Sequence, residues 1–181
     1  MNTKTKQLTI AAMMLAICIV SQFFKNTSVY FTGSIVNAAL IITALSCGLG
    51  YGLILAIITP ITAFLITGAP IIAACPLIMP CIMLGNAVIV FFAWVVRGQK
   101  SPVALPISLA IGSVAKAAVM ALTILAVVIP VFGTNLKEPQ IAAARTVYSV
   151  TQLITALIGS VLAYIIWYAL RKALQSDPEL R

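Results

Sequence analysis

Lys116 is the residue whose chemistry most needs explaining. It stands in GSVAKAAVM, and between Ser101 and Leu136 no other residue is charged. An ammonium group in hydrocarbon is costly, and ionisable residues inside apolar spans commonly mark a binding or transport site. Lys116 lies midway between Val103 and Pro130, too deep for its methylene stem to carry the charge to an interface. The chain's acids are Glu138, in a connecting segment, and Asp177 and Glu179, in the tail, so no carboxylate is expected within reach. Three outcomes stay open: the amine gives up its proton, pairs with backbone carbonyls and water, or receives an anion that the protein does not supply. Ligand binding is the favoured reading, against a structural lysine facing a hydrated crevice.

Other polar side chains fall where they could complete such a site. Asn86, in LGNAV, sits near the middle of its apolar run, at about the depth of Lys116. Tyr148, Gln152, Thr155 and Gly159 recur at helical spacing and form one polar or small face. Met120 and Thr123 follow Lys116 on its own face. Were the three faces to meet, they would enclose an outward-opening pocket with a cationic floor and amide and hydroxyl groups on its walls. The alternative is that Asn86 and Gln152 only hold helices together by hydrogen bonds. For the whole set the pocket is the better reading.

What is missing narrows the chemistry. There is no histidine, and the four cysteines form no CxxC pair, so no metal site and no cofactor are expected. No apolar run contains Asp or Glu, which leaves a cationic ligand without a counter-charge and a proton-driven pump without its carboxylate relay. No GxxxxGK[ST] occurs, and no catalytic triad or paired-carboxylate arrangement can be assembled, so an enzyme is not expected.

The elements that must position these residues follow from composition. Of 181 residues, 62% are hydrophobic and 8% charged, whereas soluble domains run to about 45–50% apolar and about 25% charged. The fold class is therefore an all-α integral membrane protein, a compact bundle of six transmembrane helices forming one domain over 1–181. The expected spans are about 8–24, 34–47, 51–67, 71–96, 103–130 and 145–170. The second is short for a crossing, VYFTG is taken as a connection before it, and GLGYG is taken as a turn leading into the third. The net charge of +8 is spread along the flanks of the spans, which suits anchoring at a lipid surface and not nucleic acid. The run after Lys4 and Lys6 ends in SQFFKN without a cleavage site of small residues, so it is expected to remain as the first helix. Cytoplasmic termini place Lys4, Lys6, Arg97, Lys100, Arg171, Lys172 and Arg181 inside and only Lys25, Lys137 and Arg145 outside, as the positive-inside rule requires. Pro60, Pro70, Pro76 and Pro80 crowd the third and fourth spans and imply either simple kinks or a bend around a pocket.

In the first span, TIAAMMLAICIV places Ala12 and Ala16 four residues apart, a spacing that lets another helix approach closely. With this AxxxA, the basic start KQLTIAAMMLAI, the GAP turn, LGNA and the closing WYALRKAL, the chain resembles the substrate-binding S component of an energy-coupling factor (ECF) vitamin transporter over essentially its whole length. The resemblance implies a subunit in the plasma membrane of a prokaryote that captures a vitamin or related micronutrient from outside. It also implies a membrane T component with two cytoplasmic ATPases as partners, which carry any ATP hydrolysis, and a partner interface at Ala12 and Ala16. A lone buried cation favours a small anionic solute, most simply a slender carboxylate of the pantothenate, biotin, lipoate or nicotinate type. Large flat ligands would call for aromatic platforms that 8% aromatic residues do not suggest. A membrane scaffold without a ligand and a self-sufficient secondary carrier are the competing readings.

Overall fold

Long runs of Leu, Ile, Val and Ala leave the backbone no water to bond to in a bilayer, so each run must satisfy its own amides as a helix. The computed structural model describes residues 3–25, 27–99, 101 and 103–176, with side chains through 171. Lys100, Arg181, Asp177 and Glu179 lie outside the described residues, and Lys172 is described only in its backbone. Every element among the described residues is helical: α1 (Thr3–Gln22), α2 (Val29–Cys47), α3 (Leu49–Thr67), α4 (Pro70–Ala74), α5 (Ile78–Val95), α6 (Ala104–Met120), a π-helical segment (Ala121–Val128), α7 (Ile129–Phe132), α8 (Glu138–Val147) and α9 (Val150–Ser176). Among the described residues, six stretches are long and apolar enough to cross a membrane: Thr3–Gln22, Val29–Cys47, Leu49–Thr67, Ile78–Val95, Ala104–Phe132 and Glu138–Arg171.

Several boundaries differ from the sequence reading for local reasons. VYFTG is helix and not connection: Ser28 is extended and its Oγ accepts a hydrogen bond from Phe31 N at 3.2 Å, which starts α2 at Val29. The turn into α3 is made at Gly48, at φ 96°, and the rest of GLGYG is already helical. The segment before the last span is also helical, because Lys137 N donates to Gln140 Oε1 at 2.9 Å and Pro139 fits the first turn of α8. A break at Tyr148–Ser149 then separates α8 from α9. The fourth run is broken as well, at Cys75–Leu77, where Pro76 cannot continue a ladder.

α2 is the central element. Some 61% of its membrane window is buried, against 22–33% for the other five stretches. It packs on α1, α3, α5 and α9, while α1, α3, α5, α6 and α9 follow one another around it. Gly159 lets α9 come down onto α2, since a Cβ there would meet Asn37 and the Ser34 carbonyl. Gly33 makes room for Thr155 in the same seam. At the far end of α2, Arg97 donates from Nε to Leu45 O at 2.7 Å and from a terminal guanidinium nitrogen to Ser46 O at 2.9 Å. These two bonds satisfy carbonyls that the helix end leaves open. Two apolar cores result. One centres on Leu40, Ile41, Leu45, Ile89 and Leu109. The other centres on Ile72, Ile78, Met120, Ile124 and Tyr148, and between the two lies the polar site.

Candidate functional site

The ends of α1 and α3 and the start of α2, with α4, α5, α6 and the α8–α9 break, surround a cavity of about 150 Å³. That is the size of an engineered apolar cavity able to take benzene, so there is room for a small or slender molecule. Lys116 is one of its lining residues. Only 2% of the residue is exposed, and its Nζ donates to Asn37 Oδ1 at 2.5 Å and to Asn86 Oδ1 at 2.7 Å. The amine is thus fixed by two neutral acceptors on α2 and α5, and neither is a carboxylate. A protonated amine keeps a third donor, and Lys116 borders the void.

The backbone prepares this arrangement. Pro60 has no N–H to give the Ala56 carbonyl one turn earlier in α3. That carbonyl instead accepts from Asn86 Nδ2 at 3.4 Å, which turns the Asn86 oxygen toward Lys116. The carbonyl of Thr59, also on the cavity wall, accepts from Gln22 Nε2 at 3.1 Å. Irregular backbone is therefore bonded by side chains that themselves line the void. The broken fourth run contributes Ala69 and Ile72 before its break and Ile82 after it.

Four of the seven residues expected in the pocket line the cavity: Lys116, Asn86, Tyr148 and Gln152. The other three are placed differently. Met120 is fully buried and lies over Gly85, filling the gap between α5 and α6. Thr123 falls in the π-helical segment, where the wider turn shifts the face read from 3.6-residue spacing, and its Oγ1 donates to Val119 O at 2.7 Å. Thr155 packs on Gly33, and its Oγ1 donates to Gln152 O at 3.2 Å. The polar face of the last span is thus divided. Thr155 and Gly159 seat α9 on α2, while Tyr148 and Gln152 reach the void.

Sequence reasoning missed Asn37, Gln22, Lys25 and Thr59, all of which line the cavity. Asn37 was legible by the argument that found Asn86, a lone amide in an apolar run. Helix-gluing polar contacts also occur, at Ser113 and Ser160 (2.9 Å) and from Thr32 Oγ1 to Ser21 O (2.9 Å). Ala12 and Ala16 are both exposed on α1, whose Ala11, Cys18 and Gln22 are buried in the bundle.

A family model described as ECF transporter, substrate-specific component, matches residues 6–171. No curated protein and no solved structure gives a significant match.

Proposed function

The chain belongs to the substrate-specific components of ECF transporters, and from that premise we propose that it captures a small carboxylate-bearing vitamin or related micronutrient in the cavity floored by Lys116. As a member it is a multi-pass membrane protein and a substrate-binding subunit, with T-component and ATPase partners. One observation carries the choice of an anion. Lys116 Nζ is held by the oxygens of Asn37 and Asn86 beside a void, and the one acid among the described residues, Glu138, is exposed at the start of α8. An incoming carboxylate supplies the missing counter-charge, and charge-assisted hydrogen bonds are about twice as strong as neutral ones. Gln152 and Tyr148 orient the remainder of the solute.

Both termini lie in the cytoplasm, so the cavity opens to the outside. Lys25, Lys137 and Arg145 then occupy the outer side, with Lys4, Lys6, Arg97 and Arg171 on the inner side. The exposed face of α1 that carries Ala12 and Ala16 receives a helix of the T component, and the whole of residues 1–181 acts as one membrane domain.

Mass spectrometry of small molecules that copurify with the full chain is the direct test. A carboxylate is expected; a cation, or an uncharged aromatic compound, overturns the reading. For the α1 surface, Ala12→Leu is expected to lower recovery of the T component in a pull-down while leaving ligand content unchanged. Equal recovery removes Ala12 from the interface.

A further inference from the structure

The cavity has a second cation among its lining residues. Lys25 lies between α1 and α2, is half-buried and lines the cavity; its backbone N–H donates to Gln22 O at 3.1 Å, and its side-chain amine has no hydrogen-bond or ionic partner among the described residues. Lys116 marks the inner level through its bond to Asn37 on α2, while Lys25 precedes the start of α2 at Val29. Asn37 and Val29 are eight residues apart in one helix, a separation of about 12 Å along its axis. The lining includes the apolar Val29, Val36, Ala63 and Ile82 alongside the polar Gln22, Thr32, Thr59 and Gln152. Two cations on one cavity whose walls are partly apolar form a pattern with a chemical complement.

We propose that Lys25 and Lys116 grip opposite ends of one elongated solute that bears an anionic group at each end and an apolar stretch between them, in the simplest case an α,ω-dicarboxylate. The inference rests on the reading of this cavity as the substrate site and adds the second charge and the length. Lys116 acts as the fixed end, because two amide oxygens hold it. Lys25 acts as the adjustable end, because the described residues leave its amine unbonded at the outer end. Burial holds the Lys25 amine below the usual lysine range. A desolvated amine without a counter-charge gains most from an acid delivered beside it. Monoanionic solutes would satisfy Lys116 and leave Lys25 as it stands.

The test uses the full chain in nanodiscs of zwitterionic phosphatidylcholine, so that no anionic headgroup competes for Lys25. Apparent affinity is read from the concentration dependence of thermal unfolding. The probes are succinate, adipate and suberate, each compared with its own monomethyl ester, which has nearly the same length and one charge fewer. At one length the diacid is expected to bind about tenfold more tightly than its monoester, the increment of one charge-assisted contact. Lys25→Met should bring the diacid down to the level of the monoester and leave the monoester unchanged, while Lys116→Gln should weaken both. Equal affinity of diacid and monoester at every length overturns the proposal, as does a diacid advantage that survives Lys25→Met. If binding depends on Lys116 and not on Lys25, the two-ended grip falls and the anion site stands. If no probe binds, or binding ignores Lys116, both fall together.

Discussion

The two halves of the bundle are built differently from the same apolar alphabet. In the half that contains the chain's start, the helices run unbroken, and Leu40, Ile41, Ile89 and Leu109 fill a core with almost no exposure. Its proline among the described residues, Pro106, lies in the first turn of α6, where no ladder bond is lost. The other half carries Pro60 within α3, the break between α4 and α5, the π-helical segment and the break between α8 and α9. In a bilayer such irregular backbone is tolerated where protein or a wet cavity satisfies it. The regular half fixes where the helices stand, and the irregular half uses that support to open a void at their ends. Lys116, Asn37 and Asn86 sit on the seam between the halves.

If that division is real, substitutions on the two sides should affect different measurements. The largest effect is expected at the seam itself. Lys116→Gln removes the charge while keeping a donor for one of the amides. Anion affinity should fall by about 1,000-fold, or ~4 kcal/mol, within the range for losing one member of a desolvated charge contact. Titration calorimetry with the copurified ligand measures it, and an unchanged affinity would break the comparison at its centre. Leu40→Ala belongs to the regular half. It should lower stability by about 3 kcal/mol through the cavity it leaves, with ligand affinity at the wild-type value. A matched loss of affinity would show that the two halves are one cooperative unit.

Asn37→Ala separates position from packing. The Cβ on which Gly159 seats is kept, and only the amide that holds Lys116 is lost. Affinity should fall by about tenfold, the worth of one charge-assisted bond, and stability by no more than the about 1–3 kcal/mol that one lost buried bond costs. A large drop in stability with affinity intact would instead make Asn37 part of the α2–α9 seam.

Much of this was legible in the sequence because burial in a membrane is announced by composition. The six apolar runs, the depth of Lys116 and its kinship with Asn86 follow from hydropathy and helical rise alone. Helix beginnings were less legible, since Ser28 and Gln140 act through single hydrogen bonds that hydropathy does not register. Face assignments failed where the helix changes type. Thr123 was projected with 3.6-residue spacing through a stretch that is π-helical, and Thr155 shares a face with Gln152 but meets Gly33 instead of the void. Lys25 was counted only as a charge that orients the chain, because its approach to the cavity depends on how α1 and α2 meet.

The smallest predicted effect is the most discriminating, because stability and binding should move in opposite directions. Pro60 leaves the Ala56 carbonyl without a helical donor, and Asn86 occupies that acceptor at 3.4 Å. Pro60→Ala restores an N–H one turn away from the carbonyl and lets the α3 ladder close. The helix gains a backbone bond, so thermal stability should hold or rise slightly. Asn86 then shares its anchor, its oxygen is less firmly aimed at Lys116, and ligand affinity should fall by about threefold, or ~0.7 kcal/mol. Pro106→Ala is the control in the regular half, where no cavity side chain depends on the proline, and affinity there should not move. Were Pro60→Ala to lower stability and affinity together, the proline would be filling space against the cavity wall and not freeing a carbonyl. The link from a missing backbone donor to the aim of a lysine would then be lost, and with it the physical reason for concentrating irregular backbone beside the site.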